Sequence, residues 1–402
     1  MEKGSTLTIN GNVTNSGSGE LTTEYGSTLT INGNVTNSGG ILTGDLAVGG
    51  DTLTITGTLT NSRVFQIYLG DVATIGNGLT NNAGGFVYVN SGSTLQVNGD
   101  VTNSGTLATD YPYGYGGGNT LNITGTLTNE ASGQFILSGP VDMATLGGLA
   151  NSGLVQVENG STLLINGDLN NLATGSVEVL NNSTLQVNGN LDNFGTLVID
   201  PSTLTITGTL TNNVGSTFSL AAGDILNAGS VNNLGSFTLP GGTQLNTPMF
   251  SSMGSTTVSS LATLLVGTGT APGTGYVQLA NGTLAEMIAA NNQFGVINVN
   301  GSALLAGTLD IMLKQGYNPA VGSTFEFLLF NKGQLNGTFA SILNDVFNGG
   351  TEKWRVDYDN GDGYVELIAE QNSAPVPEPA TLLVLIPGLL GAAYGLRRRL
   401  LQ

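Results

Sequence analysis

Short runs of strict apolar–polar alternation are the first thing the chain shows. Ser5–Gly17 reads STLTINGNVTNSG, and the same letters return at Ser27–Gly39. Within that stretch Leu7 and Ile9 alternate with Thr6, Thr8 and Asn10. A period of two places alternate side chains on opposite faces of an extended strand. The pattern recurs at Leu53/Ile55, Leu95/Val97, Leu121/Ile123, Leu185/Val187 and Leu204/Ile206. A glycine follows at Gly11, Gly33, Gly57, Gly99, Gly125, Gly167, Gly189 and Gly208, where it supplies a bend without a Cβ. Two residues later comes another inward aliphatic, such as Val13, Leu59 or Leu191. Most units carry a further short strand: Phe86–Val89, Gln134–Leu137, Leu154–Val157 and Ser176–Val179 are examples.

Each unit closes on an asparagine. The series is Asn15, Asn37, Asn61, Asn81, Asn103, Asn129, Asn151, Asn171, Asn193, Asn212 and Asn232, at intervals of 19 to 26 residues. A near-fixed period of this size marks a solenoid. Two or three short strands per coil of about 20–22 residues predict an all-β fold, a parallel β-helix, right-handed because parallel crossovers strongly prefer that hand. No coil buries its apolar row alone, so each stacks on its neighbour. Like side chains then superimpose, and the closing asparagines are expected to form a ladder of side-chain amides. Leucine-rich repeats share the period but not the leucine spacing.

The expected divisions are coils at 1–254, irregular last coils and a β capping region at 255–370, a Pro-rich linker at 371–379, and an apolar helix with a basic tail at 380–402. At about 4.8 Å per stacked strand, eleven units give a rod on the order of 50 Å. Phe294–Leu313 reads as two further strands, and the region to Glu370 gains aromatics and charge. Asn360-Gly361 between two such runs signals a hairpin. An open solenoid end exposes strand edges, so a cap is expected there. The order of these segments resembles the C-terminal ends of passenger-type β-helices of bacterial surface proteins.

Charge narrows the function. The 402 residues include 9 Lys and Arg against 27 Asp and Glu, for a net charge of -18. Arg63 is the one basic residue between Gly4 and Leu313. Neutralising phosphates takes several cations, so nucleic acid is not an expected partner. Charged residues are 9% of the chain, against about 25% in an average soluble protein. Thr, Asn, Ser and Gly take their place. With 0 His and 0 Cys, thiol nucleophiles, His-based triads and Cys/His zinc sites are excluded. No metal or cofactor is expected.

The tail is specific. Pro375–Pro379 is Pro-rich, Ala380–Leu396 is an uncharged apolar run near the lower length for a membrane span, and Arg397, Arg398 and Arg399 form a basic stop. The string Val376-Pro377-Glu378-Pro379-Ala380-Thr381 followed by these two elements resembles the PEP-CTERM sorting signal. That resemblance implies export, transient anchoring in the inner membrane of a Gram-negative bacterium, and processing by an exosortase. Pro377, Glu378 and Pro379 would be the recognition element, and the product would reach the cell surface or the extracellular matrix. It also implies a signal peptide. Met1–Asn10 has no apolar core, so the true start is expected upstream.

The expected function is therefore a non-catalytic surface or matrix protein: an adhesin, a spacer or an exopolysaccharide-associated component, with exopolysaccharide or other surface proteins as partners. Tyr111, Tyr113 and Tyr115 lie in the longest insertion between coils and form a possible ligand loop. Two alternatives stand beside this reading. The first is a polysaccharide-degrading enzyme, which needs carboxylates facing each other across a sugar. Asp100, Asp168 and Asp192 fall at what reads as one coil position, occupied elsewhere by Asn12, Asn34 and Asn190, as in a solvated turn. The second is ice binding. The rows Thr6/Thr8, Thr28/Thr30, Thr52/Thr54 and Thr203/Thr205 resemble the flat threonine arrays of ice-binding solenoids, although Gln96, Asn122, Leu164 and Gln186 interrupt them. Asp357–Gly363 fails as an EF-hand loop, with Gly361 at the fifth position and Ile368 at the twelfth.

Overall fold

A computed structural model describes residues 3–44, 49–110, 116–267 and 275–372. The chain is an all-β parallel solenoid of about 13 turns, with no α-helix among the described residues. At about 4.8 Å per turn the rod measures on the order of 60 Å.

Each coil has three faces. In the first two coils the first face is Thr6–Asn10 and Thr28–Asn32, the second Val13–Asn15 and Val35–Asn37, and the third Glu20–Thr23 and Gly40–Thr43. Pairing is parallel and in register. Leu7, Leu29 and Leu53 superimpose, as do Ile9, Ile31 and Ile55. These inward columns are fully buried from the second coil on, with Leu29 at 1% exposure against 45% for Leu7. Burying each such side chain contributes about 1.5–3 kcal/mol. In four coils the first and second faces fuse into one bent strand: Thr120–Asn129, Met143–Asn151, Thr203–Asn212 and Ile225–Asn233.

The glycines at the first corner have a different reason from the one the sequence suggests. Apart from Gly11 (φ 137°), they do not sit at positive φ. A Cβ on Gly33 would lie 2.4 Å from the Gly11 carbonyl oxygen, and one on Gly99 2.4 Å from that of Asn77. The constraint is close approach of each coil to the one before it.

Toward the C-terminus the filling becomes aromatic. Phe218, Phe237, Phe250 and Tyr276 stack inside the rod with ring centroids 5.2, 5.9 and 5.8 Å apart. The segment expected to hold two strands after Phe294 holds three, Val296–Val299, Ser302–Leu305 and Thr308–Leu313, because Asn300-Gly301 and Ala306-Gly307 make two corners. That is one full coil. Beyond it the ladder turns antiparallel: Thr324–Leu329 pairs with Tyr364–Gln371, which pairs with Glu352–Asp359. The hairpin loop has four residues, 360–363, rather than a two-residue Asn-Gly turn, and Gly363 takes the positive φ (87°). Trp354 packs against Phe325 and Phe347 over this end.

Candidate functional site

The closing asparagines sit at the second corner with their side chains inside the rod. Asn37 Nδ2 donates to Asn61 Oδ1 at 2.7 Å and to the Val64 carbonyl at 3.0 Å. Asn61 repeats this with Asn81 (2.9 Å) and Phe86 (3.1 Å), and Asn103 with Asn129 (2.8 Å) and Gln134 (2.9 Å). The same double link runs from Asn15 through Asn171 and Asn193 to Asn212. The next rung corrects the sequence reading. Asn212 Nδ2 donates to Asn233 Oδ1 at 3.0 Å, and Asn232 lies opposite Thr211 on the outward side. A one-residue change in coil length moves the inward position, and a slip of one residue flips every side chain to the other face. Asn233 then donates to Ser252 Oγ at 3.3 Å.

A second buried polar row, not anticipated from the sequence, lines the third corner. Backbone N–H groups of one coil donate to a side chain of the next. Ser27 donates to Asp51 Oδ1 (2.7 Å), Asp51 to Asp71 Oδ1 (2.8 Å), Asp71 to Ser93 Oγ (3.3 Å) and Ser93 to Asn119 Oδ1 (3.2 Å). Ser183, Ser202 and Asp224 continue it. The available signal was a small acceptor residue, Ser, Asp or Asn, directly before each first-face strand as far as Asp224. Its identity varies because the site requires only an acceptor. Burial raises the Asp71 carboxyl to about 6, outweighing the N–H donors of Asp51 and Gly50, with the neighbouring Asp51 charge adding to the rise. Asp142 and Asp224 are raised for the same first cause.

A third row spans the first corner. Asn12 Oδ1 accepts the Asn34 N–H, Asn34 Oδ1 that of Thr58, Asp100 Oδ1 that of Thr126, and Asp168 Oδ1 that of Asn190. Asp192 does not belong here: it pairs with Asn170 and Thr211 on the outward side of the second face. The three acids expected at one position thus occupy two. Asp100 and Asp168 serve as backbone acceptors, which carboxylates and amides do equally well.

The outer faces carry the repetition. On the second face Thr14, Thr36, Thr60, Thr80, Thr102 and Thr128 stack in one unbroken column. On the first face Thr6, Thr28 and Thr52 stack beside Thr8, Thr30, Thr54 and Thr74, with Val72 breaking the first column and Gln96 the second. Among the described residues the ion pairs lie at the C-terminal end: Lys332–Asp362 (3.0 Å), Arg355–Asp357 (3.4 Å) and Arg355–Glu370 (2.7 Å).

Two acidic features were also missed. On the third face Glu178 accepts from Ser176 Oγ (3.2 Å), and burial followed by the Glu178 charge raises Glu158. Inside the rod Glu286 replaces an aliphatic between Val258 and Ile311. Its Oε1 accepts the Gly295 N–H at 2.7 Å and its Oε2 has no partner. Full burial pushes this carboxyl well above the usual range, against the one hydrogen bond that lowers it.

Tyr111, Tyr113, Tyr115, Pro377, Glu378, Pro379, Arg397, Arg398 and Arg399, with the expected apolar helix, lie outside the described residues. Among the described residues no helix is long and apolar enough to cross a membrane. No family model matches the chain, and no curated protein does.

Proposed function

We propose that the protein is an exported, non-catalytic rod of the bacterial surface or extracellular matrix, which holds neutral polysaccharide through many weak contacts. One observation carries the reading: the outward side of the second face is an unbroken column of threonine hydroxyls from Thr14 to Thr128, while the ion pairs described lie at the C-terminal end. Repetition along a rigid rod converts weak contacts into avidity. The tail supports the destination. Pro377-Glu378-Pro379, the apolar run and Arg397–Arg399 resemble the PEP-CTERM signal, so an exosortase would cut the chain after it is anchored by a C-terminal apolar helix. The coils are taken as right-handed, the usual hand of parallel crossovers.

Intact mass and terminal peptides of the protein from its native host test the sorting half. A C-terminus near Pro379 is expected, and a chain that still ends at Gln402 would overturn it. Retention by the producer's own polysaccharide in a pull-down tests the binding half. No retention would leave a spacer role. The threonine columns favour a second reading, ice binding, which thermal hysteresis of the purified chain decides. Release of reducing ends or unsaturated products from polysaccharide would replace both readings with an enzyme.

A further inference from the structure

The third face has a notch at Gly40. Its first outward column runs Glu20, Gly40, Val64, Phe86, Thr106, and the missing side chain at Gly40 leaves a gap between Glu20 and Val64. A cleft of about 250 Å³ occupies the gap, lined by Ser18, Gly19, Glu20, Leu42, Arg63 and Val64. Drug-sized pockets take roughly 300–1,000 Å³, so this one suits a single sugar ring. Arg63 is the sole cation between Gly4 and Leu313. Its Nη1 donates to the Gly17 carbonyl at 2.8 Å, which fixes the guanidinium at the cleft and leaves its other N–H groups to donate elsewhere. Glu20 supplies an exposed acceptor on the far wall. Next to Val64, Phe86 is 38% exposed and stacks on Tyr88 with centroids 5.7 Å apart. Gly40 and Phe86 are two coils apart, about 10 Å along the axis.

We propose that this notch and the Phe86 ring bind neighbouring units of a neutral polysaccharide chain lying along the rod, with Arg63 and Glu20 gripping the hydroxyls of one unit and Phe86 covering the apolar face of another. The proposal rests on the matrix-binding reading and locates it. Paired donor and acceptor groups beside an aromatic plane match a sugar, which offers vicinal hydroxyls on its rim and C–H groups on its face. A polyanion is disfavoured, because a chain of net charge -18 repels it.

Gly40 makes a clean test. It has no positive φ, and an added Cβ meets only Glu20 Cγ at 3.4 Å, so a larger residue fits the strand. The native chain is titrated calorimetrically with cellohexaose, laminarihexaose and mannohexaose. Binding of at least one is expected, with Gly40→Val, which copies the Val64 coil, weakening it at least ten-fold at an unchanged melting temperature. Phe86→Thr, which copies the Thr106 coil, should weaken the same ligand. Equal affinity in Gly40→Val, or no binding of any hexaose by the native chain, would overturn the site. A parallel pull-down on the producer's polysaccharide separates the two failures. If the native chain and Gly40→Val are retained equally, the site falls and the matrix reading stands. If the native chain is not retained, the matrix reading falls with it.

Discussion

Asn129 and Asn151 meet inside the rod with no exposure to solvent: the Asn129 amide donates to Asn151 Oδ1 and to the Leu154 carbonyl, both at 2.9 Å. One side chain thereby fastens two strands of the following coil. Asn151 does the same for the next, through Asn171 at 2.9 Å and Ser176 at 3.0 Å. Asn151→Ala would take one acceptor from the Asn129 amide, which keeps the Leu154 carbonyl, and the Asn151 donor from the Asn171 oxygen. At about 1–3 kcal/mol for each buried group left without a partner, a loss on the order of 3 kcal/mol is expected in urea unfolding. Asn15→Ala, at the half-buried first rung, should lose about 1 kcal/mol. Equal losses would mean that the ladder does not share load along the rod.

Glycines at or beside the first corner whose Cβ would meet the backbone of the preceding coil should not accept a side chain. A Cβ on Gly76 would sit 2.3 Å from the Thr56 carbonyl oxygen, and backbone cannot step aside. Gly76→Ala is expected to cost about 3 kcal/mol, at the upper end for overpacking. Gly84 has a φ of 78° with open space around its Cβ position, so Gly84→Ala should cost about 1 kcal/mol from the left-handed backbone alone. Thermal melts of the two variants give the order.

Asp71 makes stability depend on pH. Its folded-state pKa of about 6 lies above the ordinary 3.8, so the folded chain holds the proton more tightly than the unfolded one. The contribution is complete below about pH 4 and lost as pH rises through about 6. Asp71→Asn keeps an oxygen for the Gly50 and Asp51 N–H groups and does not titrate. Its unfolding curve should be flatter than that of the native chain between these limits. Identical pH profiles would show that Asp71 is not the group responsible.

Glu286 predicts a loss at higher pH. The raised carboxyl stabilises the fold while protonated, and that contribution disappears as pH climbs through its folded-state value. Glu286→Gln retains an oxygen for the Gly295 N–H but has no charge to bury. The variant should equal the native chain in acid and exceed it in alkali, with the gap widening as pH rises. A gap that shrinks with pH would contradict the assignment.

The apolar half of the fold was plain in the letters, because Leu7/Ile9 and their copies carry a period that only a strand satisfies. The asparagine ladder was legible down to Asn212, where the copies are close enough to align by eye. It failed by one residue at Asn233, since a doubled Asn-Asn leaves the inward member to be fixed by register. The third-corner row was invisible for a different reason. Its acceptor changes between Ser, Asp and Asn from coil to coil, and the Ser-Thr-Leu that recurs at Ser27, Ser93, Ser183 and Ser202 reads simply as the start of a strand. Asp192 was misplaced because an acid two residues from Gly-Asn looks the same as one beside it until the strand direction is known. The notch at Gly40 had no signature in one dimension. It exists only because Glu20 and Val64 flank it in neighbouring coils.

The ladders also decide how the rod meets a mechanical load. Nearly every bond between coils, backbone or asparagine, points along the long axis. A pull on the two ends therefore stretches the coil-to-coil layers in series, and the weakest layer parts first while the others hold. Each released coil of 19 to 26 residues pays out contour length at about 3.4 Å per residue, some 60–90 Å in place of a rise of about 4.8 Å. A tethered rod of this kind lengthens in steps under tension and dissipates work at every step, so its yielding under shear is set by the poorest-fitting coil and not by the average one.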